Sequence, residues 1–131
     1  MIGKLGLVGL VLAGIATAAV AATPIQPRAR LPGDPPAGAS GAALVQHGDH
    51  AFQYYCAPCH GGFEKNLPGT HALAVKYKGE RPALLEERTD LTPEFVTYIV
   101  RHGIEGMPQF RKVELSDANL AAIGAYLSKS K

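Results

Sequence analysis

The sequence predicts an all-α domain, and three observations carry that prediction. Two segments in the second half of the 131-residue chain, DLTPEFVTYIVRHG and ELSDANLAAIGAYLSKSK, combine helix-capping residues with apolar side chains at helical spacing. A third segment, GAALVQHGDHAFQYYC, carries an apolar stripe of the same period. No stretch alternates apolar and polar side chains as a half-buried strand does. We therefore expect three main helices, joined by short helices and loops.

The first main helix is expected to start at Gly41 and to run directly into Cys56. Between residues 61 and 90 no strong period appears, although ALAVKYK and RPALLEER are each expected to form a short helix. The apolar stripe of the first helix consists of Leu44, Val45, Phe52 and Tyr55.

The second main helix has a full set of end signals. Thr92 is its N-cap, Pro93 occupies the first helical position and Glu94 lies in the first turn. Gly103 can close the helix in a left-handed conformation. The face that we expect to be buried consists of Phe95, Val96, Ile99 and Val100.

The last helix repeats this arrangement. Ser116 is its cap, Asp117 lies in the first turn, and lysines follow the other end, where the helix dipole favours cations. The apolar stripe of this helix consists of Leu120, Ile123 and Leu127.

Residues 1–22, MIGKLGLVGLVLAGIATAAVAA, have the features of a signal peptide. Lys4 gives a positive start, an uncharged apolar run follows, and Ala19-Val20-Ala21 offers the small-x-small pattern that signal peptidases accept. An uncleaved anchor is the alternative, because the uncharged run from Leu5 to Ala22 has 18 residues and about 20 are needed to span a bilayer. In either case the rest of the chain is expected in the periplasm, with membrane contact only if the leader is retained.

A proline-rich linker is expected over residues 23–40, because this segment holds five of the ten prolines and such stretches act as extended spacers. The folded domain is then residues 41–131, which is near the lower limit for burying a sufficient core unaided. Something other than side chains is therefore expected to fill part of its middle. Once Lys4 leaves with the leader, 12 of the 13 basic residues remain against 11 acidic ones, which argues against a nucleic-acid partner.

The only two cysteines of the chain lie in CAPCH, residues 56–60. A thiol-disulfide oxidoreductase is one interpretation, but its redox-active dithiol follows a strand, whereas a predicted helix precedes Cys56. A structural zinc site needs four ligands, and the other histidines lack the paired spacing of a zinc finger. A disulfide between Cys56 and Cys59 would close so small a loop that it would add little stability.

Covalent attachment of haem explains all five positions of CAPCH. Two thioether bonds need cysteines three residues apart on one side of a turn, so that each reaches a vinyl group of the same porphyrin. A histidine directly after the second cysteine, here His60, is then placed under the iron. We therefore predict one haem c, bound through Cys56 and Cys59.

A haem of this type has either a sixth iron ligand or an open site. One of the two methionines starts the leader, so Met107 is the candidate ligand. It lies 47 residues after His60, beyond a helix, and between Gly106 and Pro108, which favour a loop. His102 and His71 are the competing ligands, although the position of His102 at a helix end is explained by the helix dipole.

These residues make the chain resemble a class I c-type cytochrome of the small bacterial type. Gly48, Phe52 and Cys56 follow the family's spacing of glycine, aromatic residue and first cysteine at intervals of four. The resemblance covers most of residues 43–128 and includes a terminal helix that crosses the first helix near Gly48. Its other matching residues are Leu67-Pro68-Gly69, Gly106-Met107-Pro108, Ala122 and Tyr126-Leu127.

The resemblance implies the cytochrome c fold around one covalently bound haem, with His60 and Met107 as the iron ligands. It also implies that the backbone carbonyl of Pro68 orients the proximal imidazole. The segment RHGIEGMPQF is similar, more loosely, to the cytochrome subunit of p-cresol methylhydroxylase, the partner of an alkylphenol-oxidising flavoprotein. The longer middle of this chain, HALAVKYKGERPALLEERTD, departs from that subunit.

The implied function is electron transfer without catalysis of its own. The carrier would take one electron from a periplasmic dehydrogenase, such as a flavoprotein, and pass it to a cytochrome or an oxidase of the respiratory chain. We expect contact at the exposed haem edge, where Arg111 and Lys112 are placed to steer an acidic partner. The apolar residues of this contact patch are Ala57, Pro58, Pro108 and Phe110. The rival interpretation is a ligand-binding or catalytic haem protein with an open sixth site.

Overall fold

The computed structural model describes residues 32–62 and 67–128. Within these ranges there is no strand, and an isolated bridge joins Ile104 to Met107. The predicted all-α class is confirmed. The helices are α1 (Gly41–Tyr55), α2 (Ala57–His60), α3 (Pro68–Tyr77), α4 (Pro93–His102) and α5 (Asp117–Leu127), with a 3-10 turn at Leu85–Glu87 between α3 and α4.

The core forms where α1 crosses α5. Gly48 of α1 lies so close to α5 that a Cβ atom there would stand 2.0 Å from the carbonyl oxygen of Ala122. The rings of Phe52 and Tyr126 meet beside this point, with their centroids 5.6 Å apart. Two helix backbones can approach this closely only where one of them lacks a side chain. The predicted crossing of the first and last helices near Gly48 is confirmed.

The end signals of α4 are confirmed, and its buried face differs from the prediction. Thr92 Oγ1 accepts a hydrogen bond of 3.1 Å from the Phe95 amide, and Gly103 follows the helix at a φ of 71°. Val96 and Val100 are buried, but Phe95 is 48% exposed, so its predicted burial is wrong. The buried valines are four residues apart and lie on one stripe, whereas Phe95 is rotated about 100° from Val96 around the helix.

The last helix has the predicted cap and the predicted apolar stripe. Ser116 Oγ accepts a hydrogen bond of 3.1 Å from the Asn119 amide. The lysines expected at the far end, Lys129 and Lys131, lie outside the described residues. The side chains of Leu120, Ile123 and Leu127 are all buried, as predicted.

The segment before α1 packs on α5. Pro32 is buried, and its carbonyl accepts a hydrogen bond of 3.5 Å from the side chain of Asn119. The Asp34 carboxylate accepts hydrogen bonds from Ser116 Oγ and from Asn119 Nδ2. On the other side of the amide, His47 Nε2 lies 2.7 Å from Asn119 Oδ1. This part of the predicted linker is therefore tied to the domain by polar contacts.

The predicted leader, residues 1–22, and residues 23–31 of the predicted linker lie outside the described residues. None of the helices in the two described ranges is long and apolar enough to cross a bilayer.

The region between α3 and α4 is held by a buried arginine. Arg88 donates to both carboxylate oxygens of Asp90, at 2.8 and 2.5 Å, and to the hydroxyl of Tyr77 at 2.8 Å. The Tyr126 hydroxyl of α5 donates to Glu86 in the 3-10 turn. Of the two short helices expected here, ALAVKYK lies largely within α3, whereas RPALLEER forms only the 3-10 turn. Both polar contacts tie the loop to the helical core.

Candidate haem site

The CAPCH segment forms a single helical turn at the end of α1. The amide of Cys56 donates to Phe52 O at 2.8 Å, which continues the hydrogen bonding of α1. The amides of Cys59 and His60 both donate to Cys56 O, at 3.0 and 2.8 Å. Pro58 lies in the first turn of α2, where no amide donor is needed. The turn thus brings both cysteines and the histidine together, as predicted from their spacing.

The two thiols differ in their surroundings. Both are free, and Cys56 is half-buried whereas Cys59 is exposed. Burial, assisted by the nearby Cys59, raises the pKa of the Cys56 thiol to about 12. The attacking cysteine of a dithiol oxidoreductase needs a lowered pKa, because the thiolate is the nucleophile. This environment therefore counts against thiol-disulfide exchange at Cys56.

One nitrogen of the His60 imidazole ring has no hydrogen-bond partner among the described residues. This nitrogen is Nδ1, and it is buried. Burial also lowers the pKa of His60, which favours the neutral ring. A neutral imidazole is the form that binds a metal ion. Both properties suit an iron ligand.

Among the described residues, His60 Nδ1 makes no hydrogen bond, so the bond to the Pro68 carbonyl that the resemblance implied stays a prediction. Pro68 is the first residue of α3. The next residue, Gly69, lies against the ring, since a Cβ there would stand 2.7 Å from His60 Cε1 and 2.9 Å from Nδ1. Thr70 Oγ1 donates to Gly61 O at 2.7 Å and is buried. The contacts of Gly69 with the His60 ring and of Thr70 with Gly61 were not predicted from the sequence. The available signal was the pair of small residues directly after the proline.

Met107 ends a tight turn after α4. Its amide donates to Ile104 O at 2.9 Å, and the Ile104 amide donates to Met107 O at 3.1 Å. Glu105, inside the turn, has a φ of 51°, which residues other than glycine seldom adopt. Met107 is half-buried and packs against the same core cluster as Cys56.

Helix α3 contacts the segments of both predicted iron ligands. Near its start, Gly69 faces the His60 ring. Near its end, Lys76 Nζ lies 2.7 Å from Glu105 Oε1, in the turn that ends at Met107. The structure therefore brings the two predicted ligand segments to the same short helix.

The basic residues beside the methionine turn are already paired. Arg111 forms an ion pair with Glu114 at 2.9 Å, and Lys112 forms one with Asp117 at 2.6 Å. These acids compensate the charges of Arg111 and Lys112. The two side chains therefore contribute little net positive charge that could steer an acidic partner.

The competing ligand His102 is engaged on the surface of α4. Its Nδ1 lies 2.8 Å from Tyr98 O, and its ring stacks on that of Tyr98 at a centroid distance of 4.2 Å. The side chain is exposed. These contacts account for His102 without a role at the iron.

A family model described as cytochrome C oxidase, cbb3-type, subunit III matches residues 43–127. The chain belongs to this family of c-type cytochrome domains. The predicted class I c-type cytochrome, its cytochrome c fold and its covalently bound haem c with iron are thereby confirmed, and the cytochrome domain serves haem-based electron transfer. Separate comparisons with curated proteins and with solved structures gave no match.

The residues present in the cytochrome domain fit a covalently bound haem. One turn offers two free thiols and a neutral imidazole whose ring edge is bounded by a glycine. Val75 and Ile104, the sequence neighbours of the Lys76–Glu105 pair, are exposed apolar residues.

Proposed function

We propose that this cytochrome domain is an exported, periplasmic carrier of one electron. Cys56 and Cys59 would hold haem c through thioether bonds, and His60 and Met107 would bind the iron. The observation that carries the proposal is the CAPCH turn, in which two free thiols precede a half-buried histidine. Haem c supplies a couple between Fe(II) and Fe(III) when it is bound.

The two proposed iron ligands would have different tasks. His60 would be held next to both thioether bonds and would bind the iron through its imidazole. Met107 is held by its turn and by packing against the core cluster that Cys56 also contacts. Its thioether sulfur would favour Fe(II) relative to a second imidazole, which would raise the potential. The protein would then be an electron carrier with a fairly high reduction potential.

The redox partners that we propose are a periplasmic dehydrogenase, such as a flavoprotein, as donor and a cytochrome or oxidase as acceptor. The family description names an oxidase subunit, which supports an acceptor in a respiratory chain. Pro58 and Pro108 are exposed beside the attachment turn and the methionine turn, and they offer small apolar contact points. Transient redox contacts are small, which suits such points.

Substitution of Met107 in the full chain, expressed with its leader in a bacterium that matures c-type cytochromes, tests the proposal. We expect one haem per wild-type chain to survive acid-acetone extraction in the mass spectrum, and the protein to fractionate with the periplasm. Met107→His should keep the covalent haem and lower the midpoint potential, because imidazole stabilises Fe(III) more than a thioether does. Met107→Ala should bind carbon monoxide.

His102→Ala is the matched control, since His102 is the competing ligand and is exposed on α4. It should leave the potential and the visible spectrum unchanged. Loss of haem on extraction would refute covalent attachment. An unchanged potential in Met107→His, together with no carbon monoxide binding by Met107→Ala, would refute ligation by Met107.

A further inference from the structure

The segment from Gly103 to Phe110 leaves α4, passes through the turn that ends at Met107 and returns to α4. The Phe110 amide donates to Val100 O at 2.8 Å, so the returning chain is bonded to the last turn of the helix. Gly103 lies against the same chain, because a Cβ on it would stand 2.7 Å from Met107 O. The position of Met107 therefore depends on where the returning end is held.

The side chain of Arg101, in α4, fixes this returning end to α5. Its Nη1 donates to Phe110 O at 2.9 Å, and its Nη2 forms an ion pair with Asp117 at 2.8 Å. A guanidinium can hold two acceptors at once in a fixed fork, whereas an ammonium is a single point charge. Both backbone polar groups of Phe110 are thus bound, its amide by Val100 and its carbonyl by Arg101.

Arg101 differs from the neighbouring basic residues in its burial. Its side chain is 16% exposed, whereas those of Arg111 and Lys112 are 71% and 74% exposed and form ion pairs on the surface. Exposed pairs contribute little, but a charged hydrogen bond that is shielded from water is costly to lose. Loss of Arg101 should therefore affect the segment more than loss of either neighbour.

The contact with Phe110 is close enough to Met107 to influence it. Phe110 follows Met107 by three residues, and both side chains pack against the same core cluster. Pro108, between them, has a fixed φ that stiffens the connection. A displacement of the Phe110 carbonyl is therefore passed on to the methionine.

We propose that Arg101 is a positioning residue for Met107: by holding the Phe110 carbonyl beside the start of α5, it keeps the methionine sulfur at the iron. This rests on the proposed role of Met107 as an iron ligand. Arg101 acts through the backbone of Phe110 and not by touching the haem. Its removal increases the population of open turns, in which the sixth iron position is free.

Competition between Met107 and carbon monoxide in the ferrous holoprotein tests this proposal, because carbon monoxide binds where the methionine has left the iron. Arg101→Gln removes the charge and the fork. It should raise the apparent affinity for carbon monoxide about tenfold, since the closed turn loses a hydrogen bond from a charged donor. Hydrogen exchange at the Phe110 amide should accelerate by a similar factor, and it reports the same opening without carbon monoxide.

Three further variants separate positioning from general effects. Thr92→Ala removes the cap at the other end of α4, and Lys112→Gln removes a second cation that pairs with Asp117. Both should keep the wild-type affinity for carbon monoxide. Arg101→Lys keeps the charge but cannot hold both acceptors in a fork, so its affinity should lie between those of wild type and Arg101→Gln.

A wild-type affinity for carbon monoxide in Arg101→Gln would overturn the proposal, as would an equal rise in Thr92→Ala or Lys112→Gln. If Arg101→Gln yields no holoprotein, Arg101→Lys decides alone, and a wild-type affinity in that variant overturns the proposal. A wild-type chain that binds carbon monoxide as tightly as Met107→Ala would instead overturn the proposed ligation by Met107, and this inference with it.

Discussion

Arg88 shows at the residue scale how this domain buries a charge. The side chain is 5% exposed, and it donates to Asp90 twice and to the Tyr77 hydroxyl. Its hydrogen bonds to Asp90 hold the pKa of that carboxyl at about 2, below its ordinary value of 3.8. A bidentate pair of this kind is stronger than an ordinary hydrogen bond, and a buried guanidinium left without it is costly.

Asp90→Asn should therefore destabilise the holoprotein at neutral pH, by about 1–3 kcal/mol, because Arg88 loses a charged acceptor. Since the folded-state pKa of Asp90 is lowered, its contribution is complete above about pH 4 and is lost as the pH falls towards 2. The stability difference between wild type and variant should shrink over that range. Urea unfolding at pH 7, 4 and 2.5 measures it.

Glu114→Gln is the control for this experiment, because the Glu114–Arg111 pair is exposed and should contribute little. A stability difference between wild type and Asp90→Asn that stays constant from pH 7 to 2.5 would contradict the assigned ion pair.

Among the helices, α1, α4 and α5 begin in different ways. Thr92 and Ser116 each accept a hydrogen bond from an amide in the first turn of their helix. Ser40, before α1, makes no such bond. The packing of α1 across α5 accounts for the stability of α1 without a cap, since tertiary contacts contribute most of the stability of protein helices.

Thr92→Ala should destabilise the domain by about 1 kcal/mol, because the Phe95 amide loses its acceptor. Ser40→Ala is the matched variant at a helix start and should change the free energy of unfolding very little. Urea denaturation monitored by circular dichroism compares the two. Equal effects of both substitutions would show that the side-chain cap of α4 is not stabilising.

At the scale of the whole molecule, the crossing of α1 and α5 decides how the rest is arranged. The crossing brings Gly48, Phe52 and Tyr126 together, and Tyr126 in turn holds the 3-10 turn through Glu86. The CAPCH turn continues directly from the end of α1. The haem site is thus positioned by the same contact that forms the core.

Gly48→Ala should destabilise the domain by about 2–3 kcal/mol. The new Cβ would stand 2.0 Å from Ala122 O and 2.8 Å from Tyr126 Cβ, and backbone atoms cannot yield as a flexible side chain does. This cost exceeds the gain of about 1 kcal/mol in helix propensity. Urea unfolding of the holoprotein measures it.

Gly33→Ala serves as control, because a Cβ at Gly33 meets nothing within 4 Å and the backbone there is not left-handed. If Gly48→Ala proves as stable as Gly33→Ala, the close crossing of the two helices is wrong.

Features that depend on neighbours along the chain were predictable from the amino-acid sequence. The ends of α4 and α5 followed from Thr92 and Ser116, because a cap bonds to an amide only three residues away. The spacing of Cys56, Cys59 and His60 predicted a single turn suited to haem c, because that geometry is complete within five residues. The all-α class followed from the same short-range patterns.

Features that depend on residues far apart in sequence follow from the way the helices pack. The exposure of Phe95 follows from how α4 packs, and the burial of Arg88 depends on partners in α3 and in its own loop. Gly69 became a neighbour of the His60 ring only because α3 folds back onto the CAPCH turn. Capping and spacing act within one or two helical turns, whereas burial depends on which elements meet, and no local pattern encodes that choice.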